Sequence, residues 1–187
     1  MGLFILGFSL YLPVLLLPNI YDTLLHIRIS GGLNWRTVWL PTEAFGFFRP
    51  NTFTPMLLVR AIFGNYPPAI LILINITQHA LNGVLLAALI LRLTQNQFQA
   101  VTSALLFLFF PFSYQAVAVY GHNVHPQVVM VLLVGLHGVM GGRGKGKGER
   151  EKWKVGRWVF VGIVFVMGLL THESFVLFGL FAFLITL

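Results

Sequence analysis

Residues Asp22–Pro50 read DTLLHIRISGGLNWRTVWLPTEAFGFFRP, and the rest of the chain is organised around them. On either side the sequence is mostly apolar, broken by short polar connections. Inside it lie Asp22, His26, Arg28, Arg36, Glu43 and Arg49. Tyr21, Trp35, Trp39 and, just beyond, Tyr66 are residue types that favour a membrane–water boundary. The stretch therefore reads as the body of a long loop over 19–66, lying on one membrane face and carrying short interfacial helices. Chemistry is expected there.

Composition sets the class. Of 187 residues 57% are hydrophobic and 9% charged, with a mean hydropathy of +0.85. Soluble domains carry roughly 25% charged residues, so the sequence predicts an integral membrane protein. With no cysteine there is no disulfide framework and no thiolate chemistry. The net charge of +7 does not argue for nucleic acid. Seven of the twelve basic residues fall between Arg143 and Arg157, flanked by apolar runs, as in a cytoplasmic loop under the positive-inside rule.

The apolar runs predict an all-α polytopic bundle of about six spans. Leu3–Leu17 reads as a first helix, short against the ~20 residues a bilayer needs, with Gly7 and Pro13 able to bend it. It has neither the basic start nor the small-residue cleavage site of a signal peptide. Asp22 and His26 are four apart and share a helical face, and Gly31-Gly32 ends that helix. Thr52–Phe63 is too short to cross and reads as a re-entrant or interfacial helix. Ala69–Leu91 is a full span whose Asn75, Gln78, His79 and Asn82 recur at helical spacing and must face protein. Phe98–Tyr120 reads as a span kinked at Pro111, Gly121–Pro126 as a tight turn, and Val128–Met140 as the return. Residues 141–157 read as a flexible basic cytoplasmic linker. Trp158–Leu170 crosses again, Thr171–Ser174 interrupts, and Phe175–Leu187 is a last apolar run that makes the chain look like the N-terminal part of a longer one.

Span parity puts Asp22, His26, Arg49, His122, His125, His172 and Glu173 on the outer face. A carboxylate beside cationic groups suits a general base or a divalent-cation ligand acting on a phosphorylated lipid, and the arginine fork suits phosphate. Plainer roles stay open: Asp22 as a helix cap, His79 as a helix–helix hydrogen-bond partner, and His122 with His125 as a turn rather than a metal pair. Glu173, between two apolar runs, is hard to explain without a site.

The order of short motifs resembles the N-terminal half of the polytopic GT-C glycosyltransferases, in their O-mannosyltransferase-like, TPR-linked branch. The motifs are Asp22 with His26, Asn34-Trp35 and Val38-Trp39, Phe48-Arg49-Pro50, Gly64-Asn65-Tyr66-Pro67, Asn75 with His79, and His172-Glu173. Two departures stand out: Asp22-Thr23 where the family often has paired acids, and His172-Glu173 where it tends to have Lys-Glu. The resemblance implies transfer of a sugar from a polyprenyl-phosphate donor to an acceptor outside the cytoplasm, at a bacterial plasma membrane, with inversion. Asp22 would be the base, while His26, Arg49, His172 and Glu173 would bind substrate. The sugar, the acceptor and any need for a divalent cation stay open. The rival classes are a transporter or channel subunit and a non-catalytic assembly partner.

Overall fold

The computed structural model describes residues 1–41, 48–141 and 147–185, with backbone alone for 147–155. Glu43, and Arg143 to Gly146 of the basic linker, lie outside the described residues. Every regular element among the described residues is helical. They are α1 (Gly2–Leu10), α2 (Asp22–Gly32), α3 (Pro50–Phe63), α4 (Pro68–Thr94), α5 (Gln97–Leu108), α6 (Ser113–Ala118), α7 (Val124–Met140), α8 (Lys147–Leu169) and α9 (Phe178–Leu184), joined by short 3-10 turns.

The central element is α4, which packs against α1, α5, α6 and α7. Its 27 residues span roughly 40 Å at 1.5 Å per residue. The polar face expected from helical spacing is buried: Asn75 and Asn82 are fully enclosed and His79 nearly so. Asn75 Nδ2 reaches the carbonyls of Ala116, Val117 and Val119 at 3.1–3.4 Å, and its Oδ1 accepts from Asn123 Nδ2 at 2.6 Å. Asn82 Nδ2 donates to the Pro126 carbonyl at 2.8 Å. Contacts of this kind contribute roughly 0.5–2 kcal/mol each in an apolar surround. They fasten the 116–126 segment onto α4.

Among the described residues two helices are long and apolar enough to cross a membrane: α4, and the stretch Tyr120–Met140 that contains α7. The runs Gly2–Leu16, Gln97–Leu108, Gly156–Leu169 and Glu173–Leu184 are apolar but shorter. Their outer faces expose large apolar side chains, among them Phe98 and Leu106 on α5 and Ile163 and Val166 on α8.

Several sequence expectations change at this point. The expected first helix Leu3–Leu17 divides: α1 ends at Leu10 and a 3-10 turn over Leu12–Leu16 follows. Pro13 lacks the N–H that would continue the α-helical ladder. The expected single span Phe98–Tyr120 is broken rather than kinked. The α-helical ladder ends with Phe109 N on the Leu105 carbonyl, Phe110 N closes a tighter turn onto Phe107, Pro111 has no N–H to donate, and α6 starts afresh at Ser113. The tight turn expected at Gly121–Pro126 is a 3-10 turn over Tyr120–His122 leading directly into α7, so His125 and Pro126 lie in the first turn of a helix. The expected linker over 141–157 is helical from Lys147 onward.

The loop between α1 and α4 is tied together by one arginine. Arg60, near the end of α3, donates to the carbonyls of Ser30 and Leu33 at 2.6 Å and of Gly31 at 3.0 Å. A cation there satisfies the C-terminal carbonyls of α2 and matches its dipole. Pro50 opens α3 in the first-turn position, and Gly64 closes it at φ +71, a left-handed conformation that only glycine adopts without strain. Asn51 joins three elements: its Nδ2 donates to Met167 O and Thr171 Oγ1 at the end of α8, and its carbonyl accepts from Gln127 Nε2 of α7. The starts of α3 and α7 and the end of α8 thus meet at one place.

Candidate active site

Asp22 begins α2 but does not cap it. The residue before the helix is Tyr21, at φ +47, and no side chain bonds the first-turn amides. That conformation is uncommon for a tyrosine, and such strain persists where surrounding contacts over-determine it. Asp22 Oδ2 instead lies 3.0 Å from His122 Nε2, one hundred residues away. Its side chain is 57% exposed and that of His122 31%.

This pairing depends on a close backbone approach. Gly121 N donates to Thr23 Oγ1 at 2.9 Å. A β-carbon at Gly121 would sit 2.5 Å from the Asp22 carbonyl carbon and Cβ and 2.6 Å from Thr23 N. No side chain fits there, so a glycine lets the 3-10 turn press against α2 and bring His122 to Asp22.

Arg49 precedes α3 and meets Glu173 with two parallel hydrogen bonds, Nη2 to Oε1 at 2.5 Å and Nε to Oε2 at 3.1 Å. The arginine side chain is 15% exposed and the glutamate 69%. The Arg49 guanidinium holds the Glu173 carboxyl below the usual carboxylate range, helped by the glutamate's own backbone amide and by the charge of His172. His172 Nδ1 accepts from Ser174 N at 3.1 Å, capping the turn that presents Glu173. Between the two pairs stands His125, with ring centroids 6.0 Å from His122 and 6.4 Å from His172.

These groups surround a cavity of about 290 Å³ whose lining includes Asp22, His26, Arg49, Thr52, His125 and His172. His26 is buried in its wall beside Phe53. Burial pushes the imidazole down to about 4, against the pull of Asp22 and with the help of His122 and Arg49. A neutral imidazole therefore faces a carboxylate and a guanidinium near neutral pH.

All seven residues assigned to one face by span parity converge here, although they come from four separate parts of the chain. The opposite end of α7 carries Gly141, whose carbonyl accepts from Arg157 at 3.0 Å, so that arginine of the basic cluster lies away from the site. Arg28 and Arg36 do not line the cavity. His79 meets its neighbours across helices: its imidazole engages the Leu108 backbone at the end of α5, while its ring stacks on Phe107 at 4.8 Å and meets Tyr11 edge-on at 5.2 Å. Sequence reasoning missed Gly121, Thr23 and Thr52; the Asn-Thr after Arg49-Pro50 was the available signal for the last. Among the described residues no three His, Asp or Glu side chains gather as ligands for a metal ion. The nearest imidazoles are spread along a row, and Asp22 is committed to His122. That donor set does not fit a divalent cation.

No protein-family model matches the chain, and neither the curated proteins nor the solved structures provide a match.

Proposed function

We propose that the protein is a multi-pass membrane glycosyltransferase of GT-C type. It would cross the membrane about six times and move a sugar from a polyprenyl-phosphate donor to a hydroxyl acceptor at the outer face of a bacterial plasma membrane. The observation that carries this reading is the Asp22–His122 pair at 3.0 Å on the rim of a cavity that Arg49 also lines. A base and a phosphate-gripping cation on one small cavity match what such a transfer demands.

In this mechanism Asp22 takes the proton of the acceptor hydroxyl as its oxygen attacks the anomeric carbon from the face opposite the phosphate. The bond between that carbon and the phosphate oxygen breaks, and the electron pair leaves with the polyprenyl phosphate. Inversion follows from the single displacement. His122 orients the carboxylate and can pass its proton to solvent. Arg49, held by Glu173, offsets the negative charge that grows on the leaving phosphate. The neutral His26 hydrogen-bonds without adding a competing charge.

The test is binding of a short-chain donor analogue, farnesyl phosphate bearing a hexose, to the protein in nanodiscs. Saturable binding that weakens roughly tenfold in Arg49→Lys supports the reading, because lysine keeps the charge but loses the fork. Absence of binding, or binding indifferent to Arg49→Lys, would overturn it.

A further inference from the structure

His125 stands where the two charged pairs of the site meet. It lines the cavity together with Asp22 and Arg49, and its ring lies 6.0 Å from that of His122 and 6.4 Å from that of His172. The backbone around it is held from several sides. Asn123 Nδ2 donates to Asn75 and Gln78, the Pro126 carbonyl accepts from Asn82, and Gln127 Nε2 donates to the Asn51 carbonyl. The histidine itself is exposed, and its ring makes no hydrogen bond among the described residues. A polar ring carried on a fixed turn at a cavity wall, with no partner of its own, is available to a ligand.

A phosphodiester in this cavity needs more than one source of positive charge. Arg49 is the only Lys or Arg among the described residues that line it. Its fork is shared with Glu173, and the Asp22 carboxylate lines the same space. The start of α7 helps: Gly121, Val124 and His125 line the cavity, so the positive end of a 17-residue helix lies against it. A full second charge must come from an imidazole, and most are committed. His122 Nε2 is 3.0 Å from Asp22. His172 Nδ1 needs its lone pair to accept from Ser174 N. His26 stays neutral down to about 4. On the neighbouring cleft, which His125 also lines, His79 of α4 is buried against the Leu108 backbone, and no Lys, Arg, Asp or Glu among the described residues enters. His125 is left with both ring nitrogens uncommitted.

We infer that His125 is a second phosphate ligand of this site, binding a lipid phosphodiester as the imidazolium beside Arg49, so that one proton enters with each anion. That the phosphodiester carries a hexose rests on the transfer reading above; the proton-coupled anion site does not. An imidazole ordinarily titrates near ~6.5, and an anion in contact raises that value by roughly 1–3 pH units. The bound state then holds a proton that the free state has released, and binding strengthens as pH falls through this interval.

The experiment is equilibrium binding to the protein in nanodiscs of zwitterionic lipid at pH 6.5 and 7.5. The probes are farnesyl-phosphate-hexose and farnesyl methyl phosphate, diesters whose single charge is constant over this range. In the parent, Kd should be roughly five- to tenfold higher at pH 7.5 than at 6.5. His125→Gln should bind roughly tenfold more weakly at pH 6.5 and lose the pH dependence. His125→Arg, which supplies the charge permanently, should also be flat but bind as tightly at pH 7.5 as the parent does at 6.5. That rescue separates a ligand from a structural residue, and it decides the matter if His125→Gln fails to fold. Parent binding of the donor analogue indifferent to pH, or a pH dependence that survives in a folded His125→Gln or His125→Arg, overturns the inference and leaves the transferase reading in place. Equal binding of the two probes, with a pH dependence governed by His125, leaves the phosphate site standing and removes the hexose from it. Binding of neither probe sinks both.

Discussion

Replacing Asp22 by asparagine separates a catalytic carboxylate from a structural one. The structural cost is small. The side chain caps no helix amide, is 57% exposed, and makes one 3.0 Å contact to a partly exposed histidine. An exposed pair of this kind contributes about 0–1 kcal/mol, and asparagine keeps the shape and a hydrogen bond to His122. The catalytic cost is large. Loss of a general base lowers rates by roughly 10²–10⁴, equivalent to about 2.7–5.4 kcal/mol on the barrier. In proteoliposomes, Asp22→Asn should match the parent in thermal unfolding and in binding of the farnesyl-phosphate-hexose analogue, and lose labelled-hexose transfer by at least a hundredfold. Turnover within about threefold of the parent would refute the assignment, because no other carboxylate among the described residues lines the cavity. A matched loss of stability and binding would make Asp22 a structural residue.

The remaining predictions address the supports of the site and its orientation. Gly121→Ala should destabilise the protein by about 1–3 kcal/mol and lower transfer, because the new methyl meets α2 backbone at 2.5–2.6 Å; an unchanged melting temperature would show that the two segments do not touch. His26 has a folded value of about 4 against 6.5 unfolded, so the unfolded chain takes up the proton first and stability should fall as pH drops from 6.5 to 4. His26→Asn should flatten that part of a pH–melting curve. The Arg49–Glu173 pair contributes above the ordinary carboxylate range and is lost only as pH falls through the depressed value of Glu173; Glu173→Gln should therefore remove a further acid limb and weaken donor-analogue binding. Single cysteines at Asn34 and Gly141 should react with a membrane-impermeant maleimide from opposite sides of the membrane, and labelling of both from one side would end the two-face argument.

The sequence alone determined the helical class and the side of the molecule on which the polar groups gather. Both follow from local rules. Polar residues at helical spacing within Ala69–Leu91 must turn inward from an apolar surround, and Asn75, His79 and Asn82 do. Gly64 could end α3 because glycine holds that left-handed turn without strain. Span parity sorted Asp22, Arg49, His122 and Glu173 to one end because alternation along a folded chain needs no knowledge of packing. Tertiary structure alone decided which of these touch. Whether Asp22 caps its helix or meets His122 depends on a turn one hundred residues away and on the missing β-carbon of Gly121. The Arg49–Glu173 clasp depends on Asn51 drawing α3, α7 and α8 together. His79 shows the limit most plainly: its spacing predicted burial, but the Tyr11 and Phe107 rings and the Leu108 backbone that surround it come from elements distant in sequence.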